Sequence, residues 1–91
     1  MFENLEKDLV PLFKEKKLEY VGSYVPNGEL YYIEKDTKNE RMIVEFSLLP
    51  ESEFNRLLAN LEDCINSYNF DYSKKVFRSG IYNAVILDIH K

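Results

Sequence analysis

The two residue types that most often carry out nucleophilic or metal chemistry each occur once in this chain, as Cys64 and His90. A cysteine nucleophile needs a general base within hydrogen-bonding distance, and His90 is the only imidazole that could serve. His90 lies close to the end of the sequence, where chains commonly fray. A free cysteine beside an apolar stripe is usually a small core side chain. We therefore expect no Cys–His pair and no catalytic residue, and we interpret the protein as a non-enzyme.

The remaining polar residues form no pattern typical of a metal or cofactor site. A zinc site in a protein has three or four ligands, and Asp88 with His90 would supply only two on one face of a strand. Carboxylate pairs such as Glu51 and Glu53 have little weight, because sixteen acidic residues produce close neighbours by chance. The three glycines are isolated, so no phosphate-binding loop is expected. We predict no bound metal and no cofactor.

Charge and composition disfavour several classes of partner. The net charge is −4 at pH 7 and the pI is about 5.0, which disfavours a phosphate-binding surface. The nearest approach to a basic patch, Lys74 with Lys75 and Arg78, would divide between the two faces of a strand. The longest apolar run, residues 84–87, is far too short for a membrane span. With one cysteine and no signal-peptide pattern, we expect a cytoplasmic protein that binds neither nucleic acid nor membrane.

Two stretches have the apolar spacing of amphipathic helices. The first runs from Phe2 to about Lys17, with acidic residues near its start and lysines near its end, as the helix dipole favours. The second opens at Pro50, with two acidic residues beside it, and ends near Asn69. The apolar stripes comprise Phe2, Leu5, Leu9, Leu12 and Phe13 in the first helix, and Phe54, Leu57, Leu58, Leu61, Ile65 and Tyr68 in the second.

Five stretches have the composition and alternation of strands. They are Leu18–Val25, Glu29–Lys35, Arg41–Leu48, Tyr72–Arg78 and Ile81–Ile89. The first three are predicted to form an antiparallel meander, with a tight turn at Pro26-Asn27-Gly28. The last two flank Ser79-Gly80 and are predicted to form a hairpin. The last strand is apolar on both faces, which favours an interior position in the sheet.

These elements predict an α+β fold with a single two-layer domain over residues 1–91. The order is helix, three strands, helix, two strands, and the five-stranded sheet is expected to be rich in antiparallel pairs. Both helices are predicted to pack on one face of this sheet. The predicted core comprises Phe2, Leu5, Leu9, Leu12, Phe13, Met42, Val44, Phe46, Leu57, Leu61, Ile65, Val85 and Leu87.

The other face of the sheet would then have no helix to cover it. Alternation along the strands predicts an exposed apolar patch there, of the kind that marks interaction surfaces. The second strand is apolar on both sides, and we predict that Tyr31 and Ile33 face outward rather than Leu30 and Tyr32. The predicted protein interface comprises Tyr31, Ile33, Ile43, Tyr82, Ala84 and Ile86, with Glu45 and Asp88 at its rim. The competing arrangement has one helix crossing to this face and burying it.

Three functional hypotheses from different classes are consistent with this sequence. The leading one is a non-catalytic protein–protein interaction domain, a homodimer or the binder of another protein. The second is an acidic stoichiometric inhibitor or immunity protein that covers a basic enzyme such as a nuclease, since complementary charge speeds association. The third is a small-molecule-binding domain or small enzyme with a pocket between helices and sheet.

Overall fold

The computed structural model describes residues 1–21, 29–79 and 82–91, and the side chains of Ser79 and Tyr82 lie outside that description. Over these ranges the chain has two helices and five strands. The elements are α1 (Glu3–Glu15), β1 (Glu19–Tyr20), β2 (Leu30–Asp36), β3 (Arg41–Leu48), α2 (Glu51–Ser67), β4 (Asp71–Ser79) and β5 (Tyr82–His90). The predicted α+β class is confirmed.

The strands form one open, mixed sheet in the order β1-β2-β3-β5-β4. β3 pairs antiparallel with β2 and with β5, and β5 pairs antiparallel with β4, whereas β1 is parallel to β2. The antiparallel-rich sheet and the final hairpin are therefore confirmed. β5 lies between β3 and β4, as its two apolar faces predict. The prediction of a turn at Ser79-Gly80 is wrong for Ser79, which belongs to β4 and lies opposite Tyr82, while Gly80 lies outside the described residues.

The first strand differs most from the prediction. β1 covers only Glu19–Tyr20 and runs parallel to β2, so the predicted antiparallel meander is wrong at this end. The Glu19 N–H donates to the Glu29 carbonyl at 3.1 Å. A stretch rich in Tyr and Val favours a strand but leaves its direction open, because direction depends on the connection to its neighbour. The turn predicted for that connection, at residues 26–28, lies outside the described residues.

The turn that follows α1 contains a left-handed residue that is not a glycine. Lys17 has a φ of 60°, and its N–H donates to the Lys14 carbonyl at 2.9 Å. The next N–H, that of Leu18, donates to the Phe13 carbonyl at 3.1 Å. These two bonds form a Schellman motif, which an apolar contact normally accompanies. Leu18 and Phe13 belong to the same buried cluster, so entry of Leu18 into the core offsets the cost of the unusual φ.

Phe46 in β3 establishes on which side of the sheet the helices lie. Its ring centroid is 5.7 Å from that of Phe13 in α1 and 5.2 Å from that of Phe54 in α2. Because one side chain points to one face, both helices pack against the same face of the sheet, which we call the inner face. Every residue predicted for the core is buried except Leu12, which is half-buried against it.

Leu61→Ala should lower the free energy of unfolding by about 2–4 kcal/mol, because Leu61 is fully buried in α2 and truncation leaves a cavity. Leu12→Ala, at a half-buried position of α1, is the matched control and should cost less. Denaturant titration measures both losses. A loss below about 0.5 kcal/mol for Leu61→Ala, the range of surface substitutions, would contradict the packing of α2.

Candidate protein-interaction face

Two residues predicted to face away from the helices, Tyr31 and Ile33, point into the core instead. Tyr31 is 6% exposed and Ile33 8%. The Tyr31 ring stacks on Phe13 of α1, with 4.5 Å between centroids. The register gives the reason: Tyr31 pairs with Phe46 and Ile33 with Val44, and directly opposed residues share a face. The predicted phase of this strand is therefore wrong.

The face opposite the helices, which we call the outer face, carries several apolar side chains. Correcting the phase of β2 places Leu30 and Tyr32 there by strand alternation. The register then continues across β3 and β5 to β4, where Phe77 pairs with Ala84. We call the following set the outer patch: Leu30, Tyr32, Ile43, Glu45, Phe77, Ala84 and Ile86.

Exposure is graded across the outer patch. Phe77, on the edge strand β4, is 41% exposed, whereas the larger apolar residues of β2, β3 and β5 are half-buried by their neighbours. Ala84 is fully buried. Of the predicted interface residues, the structure brings together Ile43, Ala84 and Ile86. Tyr82 belongs to β5, and its side chain is outside the described part.

Glu45 lies in the middle of the outer patch, between Tyr32 on β2 and Ile86 on β5. Its Oε2 atom is buried and has no hydrogen-bond partner among the described residues. Burial of the carboxyl group, and secondarily the negative charge of Glu34, raises the pKa of Glu45 above its ordinary value. A buried carboxylate oxygen without a donor costs free energy. The isolated chain therefore holds the Glu45 carboxylate at a cost in free energy, and a cation placed beside this carboxylate would reduce the cost.

The charged residues near Glu45 differ in whether they are paired. Arg41 Nη2 donates to Asp88 Oδ2 at 2.6 Å, and this hydrogen bond raises the pKa of the Arg41 guanidinium. Lys75 is exposed on β4, with its Nζ 5.9 Å from the ring centroid of Phe77. Within residues 1–21, 29–79 and 82–91, none of the ion pairs includes Lys75. Its charge is therefore available to a partner.

The structure separates the two residues that a Cys–His pair would need. Cys64 is half-buried in α2, on the inner face. His90 is exposed and follows the buried Ile89 on β5, so it points to the outer face. Burial, together with Asp8 and Asp63, raises the pKa of the Cys64 thiol. A raised thiol pKa reduces the fraction of reactive thiolate.

An open-sided pocket of about 340 Å³ lies at the start of α2. It is lined by Leu49, Pro50, Glu51, Arg78 and Asn83. The Arg78 guanidinium is already engaged: it donates to the Glu51 carboxylate and, at 3.1 Å, to the Asn55 side-chain carbonyl. Because the chain itself satisfies this cation, the pocket supports a ligand less well than the outer patch supports a protein.

Comparisons with known protein families and curated proteins give no match, so the function is argued from the geometry above. No model of a protein family matches the chain, and no curated protein matches its sequence. Within the described ranges, no three His, Cys, Asp or Glu side chains are grouped closely enough to hold a metal ion. Neither α1 nor α2 is both long and apolar enough to cross a membrane.

Sequence reasoning misplaced Glu45 and missed Phe77. Alternation along β3 puts Glu45 on the outer face, but the pattern of one strand does not show which residues flank it. Pairing with Tyr32 and Ile86 moves it from the expected rim to the centre. The predicted hairpin contained a signal for Phe77, since its turn would pair Phe77 with Tyr82, which is predicted to face outward, whereas the observed register pairs it with Ala84.

Glu45→Gln should raise the free energy of unfolding of the monomer at pH 7. The fall in the free energy of unfolding as pH rises, expected for the wild type, should be smaller in this variant. The pKa of Glu45 is raised in the folded state above its ordinary 4.5. Stability from the neutral carboxyl is therefore present below that ordinary value and lost as pH rises through the folded-state pKa. Denaturant titration from pH 4 to 8, at concentrations where the chain is monomeric, measures the difference.

Glu19→Gln is the matched control for this substitution, because Glu19 is an exposed glutamate that pairs with Leu30 at the edge of the same face. Its stability should change little at any pH. Equal pH profiles for wild type and Glu45→Gln would show that the Glu45 carboxylate is well solvated and would contradict the placement described above.

Proposed function

We propose that this chain is a non-catalytic protein-interaction domain that self-associates through the outer patch. One observation carries the proposal: both helices pack on the inner face through Phe46, and the apolar outer patch has no covering element among the described residues. Burying apolar surface contributes about 25 cal/mol per Å². An uncovered apolar sheet face therefore favours association, and the expected cytoplasmic location is compatible with the free thiol of Cys64.

The outer face is large enough for a specific dimer. The strands β2, β3, β5 and β4 lie side by side, and β3 has 8 residues. At about 4.8 Å between strands and about 3.3 Å per residue, these four strands outline roughly 500 Å². Specific interfaces bury at least about 1,000 Å² in total, or about 500 Å² on each partner. A second copy that covers all four strands reaches this size, and one centred on β5, which overlaps β3, β5 and β4, reaches about three quarters of it.

A second candidate function is suggested by Glu45 alone. Its unpaired Oε2 within an apolar surface would also suit a basic side chain of a different protein, as in the hypothesis of an inhibitor of a basic enzyme. The two candidates differ in whether the purified chain forms a complex by itself, because self-association needs no second protein. We favour self-association because the chain also supplies a free cation, Lys75, on the same face.

Ile86→Lys should abolish self-association and leave the fold intact. The substitution puts a charge in the apolar centre of the outer patch, where like charges from two copies would meet at a cost of several kcal/mol. In the monomer the new lysine lies between the carboxylate of Glu45 and the ammonium group of Lys75, so one attraction offsets one repulsion. The dimer dissociation constant should rise by roughly 100-fold or more. Sedimentation velocity over a concentration series measures association, and far-ultraviolet circular dichroism checks the fold.

Tyr20→Lys is the matched control, because Tyr20 is an exposed aromatic residue, 56% accessible, that lies outside the outer patch. Its ring packs edge-on against Tyr31 on the inner side of the sheet. This variant should associate as the wild type does. A folded Ile86→Lys protein with unchanged association would contradict the proposal, as would a wild-type protein that stays monomeric at millimolar concentration.

A further inference from the structure

Three residues of the outer face form a line across the sheet. Lys75 on β4 pairs with Ile86 on β5, and Ile86 lies opposite Glu45 on β3. Ile86 is thus flanked on one side by the exposed Lys75, which forms no ion pair within the described residues, and on the other by Glu45, whose buried Oε2 has no hydrogen-bond partner among them. Two strand spacings separate the backbones of Lys75 and Glu45, or about 10 Å. Lys75 is not among the groups that shift the pKa of Glu45 within one chain.

We infer that a second copy of the chain packs face to face with its two-fold axis parallel to β5, so that Glu45 of each copy pairs with Lys75 of the other. This inference rests on the proposed function and specifies the geometry of its interface. The axis runs along β5 and lies above Ile86. A rotation of 180° about it places Lys75 of the second copy over Glu45 of the first, and Glu45 of the second copy over Lys75 of the first. Ile86 then meets Ile86 of the second copy, and each Glu45 lies opposite a lysine.

Charge discriminates between this axis and the other two-fold axis that stacks the same patch. An axis perpendicular to the strands over the same line would place Glu45 opposite Glu45 and Lys75 opposite Lys75. Both contacts would be repulsive, and like-charge juxtaposition in an interface costs several kcal/mol. The axis parallel to β5 turns the same four charges into two attractive pairs. The second copy then supplies a cation to the Glu45 carboxylate, whose buried Oε2 has no hydrogen-bond partner among the described residues.

Side-chain reach fits the same arrangement. Sheets that pack face to face lie about 10 Å apart, with strand directions roughly aligned. An extended lysine and glutamate together span about this separation.

A charge exchange tests the pairing. Glu45→Lys alone puts two lysines opposite each other at both sites of the homodimer, and Lys75→Glu alone does the same with two glutamates. Each variant by itself should have a dimer dissociation constant at least about 100-fold above that of the wild type, because two pairs are reversed. Mixed in equal amounts, the two variants should form a heterodimer close to wild-type affinity, since both of its pairs are then attractive.

Glu19→Lys and Lys38→Glu are the matched controls, because they make the same charge changes at exposed positions outside the outer patch. Alone and mixed, they should dimerise as the wild type does. Sedimentation velocity measures each sample, with one variant carrying a fluorescent label so that heterodimers are counted directly. Circular dichroism shows that each variant is folded.

The possible outcomes separate this inference from the proposed function. Loss of the homodimer in both single variants and its recovery on mixing would support the pairing. Loss without recovery on mixing, or no loss in folded single variants while Ile86→Lys abolishes association, would overturn the pairing and leave the outer patch as the interface. A wild-type chain that is monomeric at millimolar concentration would overturn both and favour a different, basic protein as the occupant.

Discussion

The contact of one phenylalanine with both helices determines the rest of this structure. Phe46 lies near the middle of β3, and its ring packs on Phe13 of α1 and on Phe54 of α2. Two helices can therefore share a single core with one face of the sheet. Since α1 and α2 are the helices of the described residues, no helix there covers the opposite face. The uncovered apolar surface is thus a direct consequence of how the core is closed.

Glu45 gives that uncovered surface its specificity. An apolar sheet face without charge would associate indiscriminately, and a charge at its centre opposes contacts that leave the charge unpaired. The buried oxygen of Glu45 costs free energy in the isolated chain. A partner that supplies a cation removes this cost, while a partner that does not must desolvate the carboxylate further. In the dimer that we propose, the same residue would therefore weaken the monomer slightly and select the geometry of the complex.

The sequence predicted the elements that depend on strong periodicity and failed where phase or direction depends on tertiary contacts. The stripe of Leu5, Leu9 and Phe13 and the alternation of Met42, Val44 and Phe46 each have one buried face, and both predictions are confirmed. β2 has apolar residues on both faces, so its phase is undetermined until Tyr31 stacks on Phe13. The direction of β1 likewise depends on its connection. The central position of Glu45 needs the register of three strands, which no single stretch contains.

The most direct test of the account is solvent access to the outer face as the protein concentration rises. Hydroxyl-radical labelling compares Phe77, 41% exposed in the outer patch, with Tyr20, 56% exposed outside it. If a second copy covers the outer face, labelling of Phe77 falls as the concentration passes through the dissociation constant, while labelling of Tyr20 stays constant. Labelling of both residues that is independent of concentration up to the millimolar range would contradict the account.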